Sequence, residues 1–159
     1  MLRTSKVVLI VLVALWGTIG GLKNFADVDG GLGSVRVVVD PPEPARIAEW
    51  QKIQSPIIVW LGFLTIALGK IAAAGLCGVG AWRMWGARKL GAESFNAAKK
   101  MALVGCSVGV AMLFGVFIVA GSTYFNLWMT PVGSVALPIA FQLIGCIALI
   151  AIFVSQPDP

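Results

Sequence analysis

The sequence predicts an all-α fold, a bundle of four transmembrane helices with a structured extracytoplasmic loop between the first helix and the second. Its composition points to a membrane, because 58% of the 159 residues are hydrophobic and 12% are charged, whereas about a quarter of a soluble domain is charged. Four apolar stretches are also close to the length of about 20 residues that a helix needs to cross a bilayer. We expect one integral membrane domain over residues 1–159.

The four apolar stretches cover residues 6–22, 56–82, 101–121 and 132–154. We expect helices there despite the many valines and isoleucines, because a helix satisfies its own backbone hydrogen bonds in lipid. The first stretch follows Arg3 and Lys6 as the apolar part of a signal peptide would, but Trp16 stands where the small residues of a cleavage site are expected. We therefore interpret it as a retained anchor.

The distribution of charge predicts the orientation. With the N-terminus inside, seven cations fall on the cytoplasmic side and four in the loop of residues 23–55. Cytoplasmic loops carry an excess of Lys and Arg, so we expect both termini and the loop of residues 83–100 to be cytoplasmic. The seven cations are Arg3, Lys6, Arg83, Arg88, Lys89, Lys99 and Lys100.

The loop of residues 23–55 contains three kinds of pattern. It opens with "KNFADVDGGLGS", whose Gly and Asp content is typical of turns. The β-branched "VRVVVD" favours a short strand or an interfacial helix, and "PPEPARIAEWQKIQSP" predicts a short helix with Pro44 in its first turn. In that helix Ile47, Trp50 and Ile53 recur at helical spacing, and the stripe either lies on the membrane surface or packs on the bundle as a lid.

Aromatic residues mark the expected membrane interfaces, where amphipathic rings are enriched. We expect Trp128 at the outer interface, and Trp82 and Trp85 at the inner one. The other aromatic residues expected at the outer interface are Trp16, Trp60, Tyr124 and Phe125. These side chains are predicted to contact membrane lipids.

Small residues recur at helical spacing in two segments. Gly105 and Gly109 form a G-x-x-x-G pair, and Gly69, Ala73, Cys77 and Ala81 form a row at i+4 spacing. Small residues let helix backbones approach each other in lipid. Here they either close an internal bundle or present a docking face to another protein.

Lys70 and Gln142 are the most polar residues in the interior of the predicted spans. If the second helix enters the hydrocarbon core at Pro56, Lys70 lies about 21 Å in, past the middle of a core about 30 Å thick. Three interpretations of Lys70 stay open: it snorkels toward the inner headgroups, it pairs with an acid or lipid phosphate of a partner, or it carries a proton or ion. Transport is disfavoured because proton relays usually contain several acids or histidines. For Gln142 we favour an interhelical hydrogen bond.

Catalytic, metal and cofactor motifs are missing from the sequence. There is no His, which removes the commonest metal ligand and general base. The three cysteines, Cys77, Cys106 and Cys146, fall in apolar segments, where we expect buried thiols that act as small hydrophobic residues. There is no G-x-S-x-G, Walker or H-E-x-x-H motif. We therefore expect no catalytic residue, no metal, no cofactor and no nucleic-acid partner.

Short motifs occur along nearly the whole chain: "NFAD" at 24–27, "WQKIQSP" at 50–56, "LCGVGAWRMW" leading into "FNAAKKMALVG" at 95–105, "GSTYFNLW" at 121–128 and "AFQ" at 140–142. In combination and order they resemble a bacterial family of predicted small integral membrane proteins, domain of unknown function 2165. Members of that family often have an acid near position 69 and a base near position 142, whereas this chain has Gly69 and Gln142. The resemblance implies the four-helix topology, but neither an activity nor a charge pair between the second and fourth helices.

Our leading functional hypothesis is a non-enzymatic accessory or assembly subunit of a larger complex in the bacterial inner membrane, such as a respiratory or photosynthetic one. Its partners would be other integral membrane subunits and membrane lipids. The alternative is a small transporter, channel or lipid-binding protein in which Lys70 and Gln142 line a cavity. A sensor that binds a ligand through residues 23–55 has the least support. The candidate contact residues are Lys70, Gln142, Gly105, Gly109, Trp50 and Trp128.

Overall fold

Four helices that are long and apolar enough to cross a membrane dominate the structure, a computed structural model that describes residues 2–41 and 47–158. They cover Leu2–Ala26, Pro56–Ala87, Ala92–Tyr124 and Pro131–Ser155. The predicted fold class is therefore confirmed. The extracytoplasmic position of the first loop stays a prediction.

The helices, in chain order, are α1 (Leu2–Ala26), α2 (Val28–Val39), α3 (Pro56–Ala87), α4 (Ala92–Ala98), α5 (Lys100–Leu113) and α6 (Pro131–Ser155). A π-helical segment, Phe114–Tyr124, continues α5, and one-turn 3-10 helices cover Glu49–Gln51 and Leu127–Met129. We call the end where α1 begins and α6 finishes the terminal end, and the end that carries α2 the loop end.

The spanning helices extend beyond the apolar stretches from which they were predicted. The start of α3 at Pro56 agrees with the sequence, because proline suits the first helical position, whereas α3 continues to Ala87. At the start of α6 the Thr130 hydroxyl accepts a hydrogen bond from the Gly133 amide, and Pro131 follows as the first helical residue. Apolar runs therefore locate the spanning helices, while Pro56 and the Thr130 cap with Pro131 mark where α3 and α6 begin.

Close helix contacts rely on the small residues noted in the sequence. A Cβ at Gly105 of α5 would lie 2.7 Å from Cys77 Sγ and 2.8 Å from the Cys77 amide nitrogen of α3. Gly109 faces Ala73 and the ring of Trp16, with 3.6 Å to an atom of each. Both glycines are buried. Of the two alternatives, the structure shows the internal one, and neither glycine is exposed to a partner.

The cysteines divide into two groups. Cys77 and Cys106 are both fully buried in the core between α3 and α5, as predicted, and the Cys77 thiol lies 3.7 Å from the carbonyl oxygen of Ala102. Cys146 differs, because α6 presents it on the exposed face of the bundle. All three are free thiols.

From Val28 onward, the Gly- and Asp-rich stretch and the valine run form one helix, α2, rather than turns followed by a strand. The Asp27 carboxylate accepts a hydrogen bond of 3.0 Å from the Gly30 amide and so caps this helix. Val35 and Val39 lie one turn apart and are buried together with residues of α3 that include Phe63. Tertiary burial of this valine face outweighs the local preference of glycine and valine for other conformations.

The second part of the first loop is only partly described, since Pro44 and the rest of residues 42–46 lie outside the described residues. The predicted short helix is reduced in residues 47–55 to the single 3-10 turn Glu49–Gln51. The Ile53 amide donates to the Val39 carbonyl at 2.9 Å, and the Gln51 side chain donates to the Tyr124 carbonyl at 3.1 Å. These bonds fasten the segment onto the loop end.

Candidate functional site

Lys70 extends from α3 along the surface of α1. The Lys70 carbonyl oxygen would lie 2.6 Å from a Cβ at Gly17, and the Lys70 Cδ would lie 3.3 Å from a Cβ at Gly20. Glycines on α1 therefore provide the space that the backbone and the stem of Lys70 occupy. The Nζ atom donates a hydrogen bond to Asn24 Oδ1 at 3.5 Å, the long limit for such a bond.

This side chain points toward the loop end, whereas the snorkelling interpretation had it reach toward the inner headgroups. The physical reason is the tilt of every Cα–Cβ bond toward the N-terminus of its helix. Since α3 begins at the loop end, Lys70 leans in that direction and meets Asn24, which lies in the last turn of α1. The direction of α3 is therefore enough to predict that the Lys70 side chain points toward the loop end.

Lys70 lies where two apolar cavities adjoin. The first, the loop-end cavity, has a volume of about 530 Å³ and lies between α2, α3, the π-helical segment and the start of α6. The second, the α6 cavity, has a volume of about 620 Å³ and includes Trp16 in its wall. Both are lined by Lys70, Phe117, Val132 and Ala136. Of the described residues that line either cavity, Lys70 alone is charged.

Few polar groups of the loop-end cavity are free to bind a ligand. The Ser34 hydroxyl donates to the Gly30 carbonyl at 2.9 Å, and the Thr65 hydroxyl donates to the Leu61 carbonyl at 2.7 Å. Both hydroxyls thus use their proton within their own helix. Asn24 and Lys70 are the remaining polar lining side chains, and within residues 2–41 and 47–158 no carboxylate forms an ion pair with Lys70.

One wall of the loop-end cavity is the π-helical segment, which contributes Gly115, Val116, Phe117 and Ala120. Its wider turn appears in the hydrogen bonds, because the Phe125 amide donates to the carbonyl of Ala120, five residues earlier. Such turns are uncommon and occur often at functional sites. Apolar periodicity does not distinguish a π turn from an α turn, and the sequence therefore did not predict it.

Gln142 does not take part in this site. It is exposed on α6 beside Phe141, which is 70% exposed, and it lines neither cavity. No interhelical hydrogen bond from Gln142 occurs among the described residues. The neighbouring Ala140 is 2% exposed and faces the bundle, so a residue two positions later points away from it. The expectation that Gln142 joins Lys70 in a cavity is therefore wrong.

The aromatic residues behave in two ways. Trp50 and Trp128 are 77% and 58% exposed at the loop end, as a contact with lipid or a partner requires. Trp16 is different, because α1 continues to Ala26 and places this residue about 15 Å from the end of the helix. Its predicted position at an interface is wrong, and it lines the α6 cavity with Lys70.

A second polar site, the terminal-end cluster, comprises Lys6, Asn96, Lys99 and Asp158. Lys6 Nζ donates to Asp158 Oδ2 at 2.7 Å, and Lys99 Nζ donates to the same oxygen. Both ammonium groups also donate to the carbonyl of Gln156, at 2.7 Å and 2.8 Å. Lys6, Lys99 and Asp158 are 1%, 3% and 5% exposed, so the three charges are buried together.

The two lysines control the ionisation of Asp158. Burial by itself raises the pKa of this carboxyl, but the hydrogen bonds and positive charge of Lys6 and Lys99 outweigh it and hold the pKa below its ordinary value. Asn96 completes the cluster, because its Oδ1 accepts from Lys99 Nζ at 2.6 Å and from the Asp158 amide at 3.1 Å. The cluster fastens the chain after α6 to α1 and to the α4–α5 junction.

The cluster was not predicted from the sequence, where Lys6 and Lys99 counted only as cations of the cytoplasmic side. A signal was present, because Asp158 is the only acid in the sequence after Glu93. The predicted topology also brings the start of the first helix, the loop of residues 83–100 and the end of the fourth helix to one side. Two acids, Glu93 and Asp158, among seven cations on one side make an ion pair there an expected feature.

A third feature is a shallow groove of about 480 Å³ between α1 and α3, whose wall includes Val11, Ala14, Thr18, Gly78 and Trp82. A Cβ at Gly78 would meet nothing within 4 Å, so this glycine leaves open space on the surface. Among the described residues no group of three or more His, Cys, Asp or Glu is placed to hold a metal ion.

Comparison with known proteins gives one match. No curated protein and no solved structure matches the chain significantly. The model of one family, described as predicted small integral membrane proteins, matches residues 2–157. That match covers nearly the whole chain and agrees with the four spanning helices. The chain therefore belongs to the DUF2165 family of predicted small integral membrane proteins.

Proposed function

We propose that this protein is a non-enzymatic binder of a membrane amphiphile, whose polar head lies at Lys70 and whose apolar chain occupies an adjoining cavity. The observation that carries the proposal is the position of Lys70 as the only charged side chain among the described residues that line the two cavities. Each cavity lies within the range of about 300–1,000 Å³ that is typical of small-molecule sites. Gln142 has no part in this function.

The energetics favour a ligand that is recognised by its head. A lysine near the centre of a bilayer costs about 2.5–3.5 kcal/mol on the insertion scale, and an acceptor group beside Lys70 offsets part of that cost. The apolar walls contribute less, because a ligand that comes from lipid was already surrounded by apolar groups. Selection therefore depends on the hydrogen bonds and charge at Lys70 and Asn24.

The test is lipid retention by the full chain. The protein is purified in mild detergent, and native mass spectrometry measures the mass that stays bound. We expect one retained amphiphile per chain, and its loss in Lys70→Ala. Gln142→Ala is the matched control, since it removes a polar side chain from the interior of another spanning helix but outside both cavities. Equal retention by the two variants, or no retention by the parent protein, would exclude the proposal.

A second candidate function is an accessory or assembly subunit of a larger membrane complex, such as a respiratory or photosynthetic one. The groove between α1 and α3 favours it, because Gly78 leaves room for a partner helix to approach. The Gly78→Leu variant should extend a side chain into the groove, where a Cβ meets nothing within 4 Å, and remove a stoichiometric partner from the purified complex. Purification of the parent protein without any partner would exclude this function.

The orientation proposed for either function places both termini in the cytoplasm of a bacterium, with the loop end on the other side of the inner membrane. The excess of Lys and Arg at the terminal end supports it. The variants Lys89→Cys and Asp29→Cys place thiols at exposed positions of opposite ends. An impermeant thiol reagent added to intact cells should modify the second and spare the first, and the reverse pattern would overturn the orientation.

A further inference from the structure

We infer that the occupant of the loop-end cavity is a single-chain lipid with a carboxylate head, in the chemical class of the long-chain fatty acids, bound with its head at Lys70. The inference rests on the proposed function and specifies its ligand. It follows from the charge of Lys70, from the depth of Lys70 in the membrane and from the length of the cavity.

The charge of the site calls for an anion with more than one acceptor oxygen. Lys70 carries an ammonium group with three donors, and its partner among the described residues is Asn24 Oδ1 at 3.5 Å. The Asn24 amide has two further donors on Nδ2. A carboxylate placed between these side chains accepts from Lys70 Nζ through one oxygen and from Asn24 Nδ2 through the other. It also supplies the counter-ion that the described part of the chain does not.

The depth of Lys70 disfavours a phospholipid head. Lys70 lies near the middle of α3, 14 residues from its start at Pro56 and 17 from its end at Ala87, and a helix centred on a hydrocarbon core about 30 Å thick places it about 15 Å from either surface of that core. A phosphodiester stays ionised and hydrated and would have to cross that distance as a charge, at a large cost in free energy. A carboxylic acid, whose ordinary pKa is near 4, also has an uncharged protonated form, which can reach this depth and then releases its proton to the aqueous phase as it pairs with the Lys70 ammonium.

The length of the cavity matches one acyl chain. On α3 its wall runs from Ile58 to Lys70, about 18 Å along the helix, and one leaflet of the hydrocarbon core is about 15 Å thick. Val35, Val38 and Val39 of α2 form its wall at the loop end. An acyl chain whose head lies at Lys70 therefore ends beneath α2, where these valines shield it from water.

The position of the lipid's acyl chain has its own test, because two glycines provide a matched pair of variants. A Cβ at Gly115, which lines the loop-end cavity, would meet nothing within 4 Å, and the same is true of Gly145, which lines neither cavity. Either position therefore accepts the Cβ of a larger side chain without a close contact. We expect Gly115→Leu to lower the affinity for palmitate by about tenfold or more, and Gly145→Leu to leave it unchanged, both at unchanged thermal stability.

The head is tested by direct competition in native mass spectrometry of the delipidated full-length protein. The added probes are palmitic acid, hexadecanol, phosphatidylglycerol and a short-chain quinone. We expect palmitate to bind one per chain and at least about tenfold more tightly than hexadecanol. The Lys70→Gln variant should lose that preference, and Lys70→Arg should retain most of it.

The outcomes separate this inference from the proposed function. If hexadecanol, the quinone or phosphatidylglycerol binds as tightly as palmitate and depends on Lys70, the carboxylate is wrong while the amphiphile site stands. If palmitate binds through Lys70 but Gly115→Leu has no effect, the assignment to the loop-end cavity is overturned. If no probe binds the parent protein, or binding is the same in Lys70→Gln, both the inference and the proposed function fail.

Discussion

Two regions of the bundle hold lysines away from water, and they balance the charge in different ways. At the terminal end, Lys6 and Lys99 share the carboxylate of Asp158 and the carbonyl of Gln156. In the middle of α3, Lys70 has a long hydrogen bond to Asn24, and no carboxylate among the described residues pairs with it. The chain supplies its own counter-ion in the first region and leaves that position open in the second.

The difference separates a structural role from a binding role. A buried ion pair is costly to break, because removal of one partner strands the other charge. An uncompensated lysine beside an open cavity adds little to the stability of the fold, and a protein gains from it only when something binds there. The same residue type therefore takes part in a buried ion pair at one end, while in the middle it has the binding role only under the proposed function.

The strongest way to break this comparison is Asp158→Asn, which should strand both lysines of the terminal-end cluster. We expect the free energy of unfolding to fall by about 3–5 kcal/mol, measured by thermal or denaturant unfolding in a fixed detergent. Glu93→Gln is the control, since it neutralises an exposed acid at the same end. A loss no larger than that of the control would mean that the cluster is not structural.

Acid should weaken the terminal end in a predictable range of pH. Because the folded pKa of Asp158 lies below its ordinary value of about 4, its stabilisation is complete above pH 4 and is lost as the pH falls through the folded pKa. In that range it should change by about 1.4 kcal/mol per pH unit. The unfolding free energy of the parent protein should therefore converge with that of Asp158→Asn below pH 4. A constant difference between them down to pH 2 would contradict this assignment.

Removal of the charge in the middle of α3 should raise the free energy of unfolding, whereas Asp158→Asn should lower it. We expect Lys70→Met to raise the free energy of unfolding of the delipidated protein by about 1 kcal/mol, because it removes an uncompensated charge and loses one long hydrogen bond. The same measurement on Lys99→Met, which removes a paired charge, should show a loss. A comparable loss in Lys70→Met would show that Lys70 also has a structural role.

The smallest effect is expected at Gln142, and this variant serves as the reference for the changes in stability and lipid retention of the other variants. Gln142→Leu changes an exposed position that touches neither cavity, and the unfolding free energy should change by no more than about 0.5 kcal/mol. Lipid retention should be unchanged as well. A clear loss of either would show that this face of α6 is an interface in the assembled protein.

The sequence predicted those parts of the structure that depend on apolar composition and residue size. The four spans, the start of α3 at Pro56 and the burial of Cys77 and Cys106 follow from hydropathy and helix propensities, and the structure confirms them. The family resemblance was also correct.

The parts that it did not predict depend on tertiary contacts. Val35 and Val39 form a helix because Phe63 and its neighbours bury them, which a valine run does not reveal. The π-helical segment and the cavity beside it arise from how α5 and α6 meet at the loop end. Lys70 was identified from its type and depth, but Asn24 was not recognised as its partner, because the two lie 46 positions apart in sequence.

The terminal-end cluster has a consequence for the order in which the bundle is made. Lys6 and Asp158 are 152 positions apart, and Asp158 follows the last of the four spans. On the ribosome, α1 enters the membrane long before the residue that neutralises its lysine has been synthesised. Until α6 is in place, Lys6 and Lys99 need water or lipid phosphate as a substitute. Closure of the terminal end is therefore a late event of biogenesis, and a nascent chain stopped before Asp158 retains two unmatched positive charges.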